Sequence, residues 1–319
     1  MRVLVTGASG FVGGAVVRRL VADGAVVVRA AVRRPDVPLA EAVEQMLVGD
    51  LSAQTDWRAA LRDVDVVVHA AARVHVMRDA SVDPLAEFRR VNVAGTMRLA
   101  GQAAEAGVRR FVFLSSIKVN GEGTVVGRPY SAADVPAPVD PYGVSKREAE
   151  DGLRELALSS GMEVAIIRPV LVYGSGVKGN FRSLLRLMRI GVPLPLGAIR
   201  NRRSLVALDN LVDLIARTIR HPGAANQTFL VSDGDALSTT ELLTRVAASF
   251  GRSARLVPVP ASAIELLARA LGRREAAVRL CGSLEVDIDK TRALLGWRPP
   301  VAMDEALRRT AQHFDELGR

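Results

Sequence analysis

Thr6-Gly7-Ala8-Ser9-Gly10-Phe11-Val12-Gly13 joins a short apolar run, Val3-Leu4-Val5, to a segment whose apolar residues recur at helical spacing. Three glycines in Gly-x-x-Gly-x-x-Gly order suit a chain that turns sharply from a strand into a helix. One permits the turn, one lets the backbone approach a pyrophosphate, and one lets the helix close on the strand, so that the phosphate meets the helix N-terminus. Gly7, Ser9, Gly10, Phe11 and Gly13 are therefore candidate dinucleotide-binding residues. The spacing is one residue longer than the commonest fingerprint, and its context, a strand before and an amphipathic helix after, distinguishes it from an ordinary glycine turn.

Outward from this loop, apolar runs at 25–32, 65–69, 110–115 and 163–167 join the run at 3–6 as strands apolar on both faces. Helical patterns fall between them at 11–22, 57–61, 83–106 and 140–159. Such alternation closes through right-handed crossovers, which predicts an α/β fold on a doubly wound parallel Rossmann sheet, with ligands at the carboxyl ends of the strands. Beyond Arg168-Pro169 the texture changes to loops rich in glycine and proline at 173–179 and 191–197, with further helices expected at 209–220, 239–250, 262–271 and 303–317. The expectation is a dinucleotide-binding domain over 1–168 and a smaller, mainly substrate-binding C-terminal lobe over 169–319, with crossings of the chain back to the sheet.

The 319 residues are 49% hydrophobic, enough for one large core. No run of about eighteen apolar residues is present to span a bilayer, and the first strand is too short for a signal-peptide core. A cytoplasmic protein with no integral membrane segment is expected. Cys281 is the single cysteine, and His69, His75, His221 and His313 are scattered, so no metal site is expected. The net charge of +9 comes mostly from arginines spread over predicted helices. With only 4% aromatics to stack on bases, that charge reads as a solvated surface and not as a nucleic-acid face. A smaller share is left for an anionic small molecule.

Tyr142-Gly143-Val144-Ser145-Lys146 places a phenol and an ammonium one turn apart on one helix face. A nearby positive charge favours phenolate and lowers its pKa from about 10, so the pair is a candidate device for moving a proton to or from a carbonyl or alcohol oxygen. At the end of the second strand, Arg29-Ala30-Ala31-Val32-Arg33-Arg34 offers guanidinium groups where a carboxylate would bind the free 2′-hydroxyl of NAD, and no acid comes before Asp36. Arg33 and Arg34 favour NADP(H), with NAD the alternative. Asp50 and Leu51, after the apolar run 46–48, are placed to meet an adenine edge, and a loop or helix-capping aspartate is the competing reading of Asp50.

With His69-Ala70-Ala71-Ala72, Asn92-Val-Ala-Gly-Thr96, Ser115-Ser116, Arg168-Pro-Val-Leu-Val-Tyr-Gly174 and Leu295-Gly-Trp-Arg-Pro299, these motifs run the length of the chain in order. They make it resemble the extended short-chain dehydrogenase/reductase family, and within it the nucleotide-sugar epimerases, dehydratases and 4-ketoreductases of the UDP-glucose 4-epimerase-like branch. The resemblance implies that Ser116 hydrogen-bonds the reacting oxygen, Tyr142 exchanges its proton, Lys146 grips the nicotinamide ribose and Asn92 buttresses the site. It implies that Ala70, Ala71 and Ala72 are small because the cofactor lies over them, and that Pro169 belongs to the cofactor pocket. For a UDP-sugar substrate it implies Asn180 near the diphosphate, Leu194 in the apolar strip 193–197 beside the uracil, and Arg203 on phosphate oxygens, with Arg279 a second candidate.

After the paired serines many members carry Val-Tyr-Gly, whereas this chain reads Ile117-Lys118-Val119-Asn120-Gly121. Lys118 and Asn120 are expected to face the substrate, and the run resembles a branch tied to bacterial polysaccharide biosynthesis. Arg33 and Arg34 tilt the expectation to an NADP(H)-dependent UDP-4-keto-6-deoxy-N-acetylhexosamine 4-ketoreductase. The alternative is a UDP-hexose or UDP-N-acetylhexosamine 4-epimerase with retained NAD. A dehydratase would call for an acidic pair that Ile117-Lys118 does not supply. A non-catalytic nucleotide-sensing protein is disfavoured by the joint presence of Ser116, Tyr142 and Lys146. The resemblance also implies a homodimer.

Overall fold

The computed structural model describes residues 1–35, 37–74, 83–272 and 274–316. Asp36, His75 and the last residue of the helix expected at 303–317 lie outside the described residues. Short β-branched runs alternate with amphipathic segments to give β1 (Arg2–Thr6), α1 (Phe11–Asp23), β2 (Val27–Val32), β3 (Val43–Leu47), α2 (Arg58–Leu61), β4 (Val66–His69), α3 (Pro84–Phe88), α4 (Thr96–Glu105), β5 (Arg110–Leu114), α5 (Pro141–Ser160) and β6 (Glu163–Pro169). The chain continues through β7 (Leu171–Tyr173), α6 (Gly179–Ile190), β8 (Arg203–Ala207), α7 (Leu208–Arg220), β9 (Gln227–Val231), β10 (Ala236–Leu237) and α8 (Thr239–Ser249). It ends with α9 (Ala261–Ala270), α10 (Arg274–Cys281), α11 (Asp289–Leu295) and α12 (Met303–Glu316).

Successive side chains of a strand point to opposite faces, so a strand apolar throughout must be covered on both. Val3, Val5, Val66 and Ala165 face α1 and α7 through Val16, Leu20, Leu211 and Ile215. Leu4, Val67, Phe111 and Ile166 face the other way, onto Leu99 of α4 and Leu153 of α5. The sheet between these layers has seven strands in the order β3-β2-β1-β4-β5-β6-β9, and every neighbouring pair is parallel. The expected doubly wound Rossmann sheet is present, and its order reverses between β1 and β4, where such sheets bind ligands. β9 and α7 come from beyond residue 169 yet complete the sheet and cover one face. A second sheet, β10-β8-β7, encloses a separate core with α6 and α8 around Tyr173, Phe181, Leu205, Leu243 and Val246.

The helix expected at 83–106 is interrupted. α3 passes into a π-helical turn over Arg89–Gly95 before α4 begins. This wider turn carries Asn92 and crosses Leu51 so closely that a Cβ on Gly95 would lie 2.6 Å from the Leu51 Cγ. Apolar periodicity does not encode such a change of pitch, because it is set by a partner far away in the chain.

Candidate active site

Gly7 adopts φ +68°, and a Cβ there would stand 2.8 Å from the Ala71 amide nitrogen. A side chain on Gly13 would collide with the Gly7 carbonyl. The loop is thus a bare backbone cradle, with the Gly10 amide donating to the Gly7 carbonyl at 2.8 Å. Gly10 caps α1 without a side chain, which leaves the first amides of that helix facing outward as an anion seat. Ala70, Ala71 and Ala72 follow β4 beside this cradle.

The cradle is pinned by a group that spacing alone did not mark. His69 is fully buried, with Nδ1 2.7 Å from the Thr6 hydroxyl and Nε2 3.0 Å from the Thr96 hydroxyl. The Ala71 amide donates to the same Thr6 Oγ1 at 3.2 Å, so this hydroxyl ties the imidazole to the chain that follows β4. Burial, reinforced by the Lys146 charge, pushes the imidazole pKa down to about 3. His69 is therefore a neutral strut between β1, β4 and α4.

Asp140 caps α5 by accepting from the Gly143 amide at 2.6 Å, and Pro141 opens the helix. Tyr142, Lys146 and Glu150 then fall at i, i+4 and i+8 on one face. The Ser116 side chain acts on the Tyr142 phenol and favours its ionised form. Its pKa is pushed up to about 12 by burial and by the Asp140 carboxylate, against the pull of Ser116. Burial and the Asp140 carboxylate thus override the depression expected from Lys146. Its Nζ lies 4.0 Å from the Phe113 ring centroid, and burial lowers its pKa to about 7 against the opposing field of Glu150. Among the described residues Lys146 Nζ has no hydrogen-bond acceptor, so its donors are available to a ligand hydroxyl.

Asn92 ties the two halves of the site together. Its Oδ1 accepts from the Arg73 amide at 2.8 Å, and its Nδ2 donates to the Arg73 carbonyl and to Ser145 Oγ, each at 3.0 Å. Ser145 in turn donates to the Tyr142 carbonyl at 2.8 Å. Glu150, which the sequence reading passed over, is wholly buried; it accepts from Ser115 Oγ at 2.5 Å and from both Nε and Nη2 of Arg168. Burial opposes ionisation of that carboxyl, but Arg168 outweighs it and holds the pKa below the ordinary value. Its signal was the position one turn beyond Lys146.

Other expected contacts lie elsewhere. Lys118 does not stand free for a substrate, since its ammonium is held by Asp140 and by Glu122, the latter at 3.1 Å. Asn120 is buried and consumed, accepting from Arg168 at 2.9 Å and donating to the Ser131 carbonyl at 3.0 Å. At the end of β2, Arg33 is exposed and 3.5 Å from Asp50, Arg34 is exposed, and Leu51 packs under the π turn. Pro169 ends β6 and is buried. In the second core, Asn180 is exposed in the first turn of α6, and Leu194 pairs through its backbone with Arg255 and Val257. Arg203 donates to the Arg279 and Gly282 carbonyls at 3.0 and 3.1 Å, so those two arginines are brought together, and burial lowers the Arg203 pKa.

No group of three or more His, Cys, Asp or Glu side chains disposed to hold a metal occurs among the described residues. The glycine cradle and the unengaged ammonium of Lys146 fit a dinucleotide, which needs close backbone approach at its phosphates and a donor at its ribose. The pattern of the NAD dependent epimerase/dehydratase family matches residues 3–232. A UDP-glucose 4-epimerase of Vibrio cholerae is 49% identical over 317 residues, spanning 98% of this chain and 95% of that one. The fold superimposes on a UDP-glucuronic acid 4-epimerase from Bacillus cereus in complex with NAD, at TM-score 0.81 and 20% identity over 99% of this chain and 97% of the other. It also superimposes on MoeE5 in complex with UDP-glucose and NAD, at TM-score 0.77 and 26% identity over 100% of both chains.

Proposed function

Because the chain belongs to the NAD dependent epimerase/dehydratase family, within the extended short-chain dehydrogenases/reductases, we propose that it is a UDP-hexose 4-epimerase that retains NAD. The observation that carries this reading is Tyr142 one helical turn from the buried, unengaged Lys146 ammonium, with Ser116 acting on its phenol, in a chain 49% identical over nearly its whole length to a UDP-glucose 4-epimerase. The 4-ketoreductase reading gives way. It leaned on Arg33 and Arg34 as a 2′-phosphate seat, but Arg33 also lies 3.5 Å from Asp50, and the family pattern and MoeE5 with its NAD support NAD.

Gly7, Gly10 and Gly13 would hold the pyrophosphate, Asp50 and Leu51 the adenine side, and Lys146 the nicotinamide ribose. NAD held there would supply a hydride acceptor and donor at C4 and, when oxidised, a positive charge. Tyr142 rests as a phenol and must lose its proton before it can take that of the C4 hydroxyl. Ser116 steadies the same oxygen as it turns from hydroxyl to carbonyl and back. Asn92 and Ser145 fix the start of α5, which sets the direction of the Tyr142 ring. Arg203, with Arg279, Asn180 and Leu194, forms the proposed UDP side, where the two arginines meet the diphosphate. In this reading residues 1–168 serve mainly the cofactor and 169–319 mainly the substrate, and a cytoplasmic homodimer in polysaccharide precursor supply is the setting.

The test is turnover without added nicotinamide. Purified protein given UDP-glucose, UDP-galactose or UDP-N-acetylglucosamine should form the C4 epimer, and acid extraction should release NAD. Net oxidation of NADPH with a UDP-4-keto sugar, without epimer formation, would restore the reductase reading.

A further inference from the structure

Helix α9 presents its apolar residues to solvent. Ala263, Leu266, Leu267, Ala270 and Leu271 recur at i, i+3, i+4, i+7 and i+8 through and just past the helix, and all five are exposed. Leu266, Leu267 and Leu271 are 70%, 62% and 64% exposed, values that belong to a face awaiting a partner. The acidic residue of the helix, Glu265, lies on the inner side toward Cys281, so no carboxylate breaks the stripe.

The approach to α9 is basic. A groove of about 700 Å³ between α6 and the end of α12 is lined by Arg182, Arg186, Arg189 and Arg252. Arg189 is paired with Asp315 at 2.9 Å, whereas Arg182, Arg186 and Arg252 have no carboxylate partner among the described residues. The groove and the helix are joined through the chain, because Leu194, just after α6, pairs through its backbone with Arg255 and Val257, in the extended segment that leads from Arg252 into α9. Ile190 and Val257 add exposed apolar area between them, at 62% and 49%. An apolar helix face beside unpaired guanidinium groups is the chemistry that seats a protein on an anionic bilayer.

We propose that α9 and the arginine groove form a peripheral docking surface for anionic phospholipid membranes, with the leucines entering the headgroup boundary and the guanidinium groups meeting lipid phosphates. No helix among the described residues is long and apolar enough to cross a membrane, so the seat is a surface contact. α9 is followed in the chain by α10, whose Arg279 carbonyl receives Arg203 of the proposed diphosphate site. The proposal stands whichever sugar is turned over.

Vesicle co-sedimentation of the full chain tests it, with phosphatidylcholine alone against phosphatidylcholine containing phosphatidylglycerol. Binding is expected only to the anionic vesicles, weakened by high salt, and reduced about tenfold or more in both Leu266→Ser/Leu267→Ser and Arg182→Ala/Arg186→Ala. Both variants should keep wild-type circular dichroism and turnover of soluble UDP-sugar. Equal binding by wild type and the leucine variant would overturn the proposal, since charge alone would then suffice. Failure to bind anionic vesicles, with the leucine variant dissociating a larger assembly in sedimentation velocity, would overturn it in favour of a second copy of the chain.

Discussion

At the residue scale the site is built from groups held in costly protonation states. Tyr142 is proposed to touch the reacting oxygen, so Tyr142→Phe should reduce kcat by several orders of magnitude, with NAD binding retained in equilibrium dialysis. His69 gives a pH signature distinct from any carboxylate. Its pKa is about 3 when folded against 6.5 when free, so between those values only the unfolded chain takes up the proton. The stability it contributes is complete above pH 6.5 and drains away as the pH falls toward 3, by up to roughly 5 kcal/mol. Urea unfolding at stepped pH should show the decline beginning near 6.5, and His69→Gln should flatten the upper part of that curve. Ser116, Tyr142 and Lys146 were legible in the sequence because their relation is local or carried by a motif. The partners of Lys118 and Asn120, Asp140 and Arg168, were not legible, because they stand 22 and 48 residues away in the chain.

At the element scale, α1 and α5 carry the site, each on a feature readable from short-range chemistry: glycines before one, Asp140-Pro141 before the other. Gly13→Ala should destabilise the fold by about 1–3 kcal/mol, because the new methyl group meets the Gly7 carbonyl, and should weaken NAD binding measured by calorimetry. Within α5, Glu150→Gln leaves the buried Arg168 guanidinium without its counter-charge. A loss of about 3–5 kcal/mol is expected in chemical denaturation, where a surface pair would cost under about 1 kcal/mol. The periodicity of 83–106 marked a helix but not its π turn, whose pitch depends on Leu51 and on the Asn92 bonds to Arg73 and Ser145. Likewise β3 was seen only as an apolar run, since an edge strand with one covered face shows a weak pattern.

At the scale of the whole molecule, one parallel sheet presents the proposed cofactor and proton-transfer groups at the carboxyl ends of β1, β4 and β5, while the β7–β8 lobe brings Arg203 and Arg279 together. The alternation of strand and helix made the sheet predictable. The direction of the chemistry was not, since reduction and epimerisation use the same Ser116, Tyr142 and Lys146, and Arg33 and Arg34 at the end of β2 were weighed as a phosphate seat although Arg33 also meets Asp50. An epimerase returns to C4 the hydrogen it took from C4. The most direct measurement is therefore turnover of UDP-glucose deuterated at C4, in the presence of unlabelled NADPH, with the product examined by mass spectrometry. The account predicts UDP-galactose that keeps its deuterium and an undiminished pool of NADPH. Loss of the label to solvent or nicotinamide, or no epimer alongside consumption of NADPH by a UDP-4-keto sugar, would contradict it.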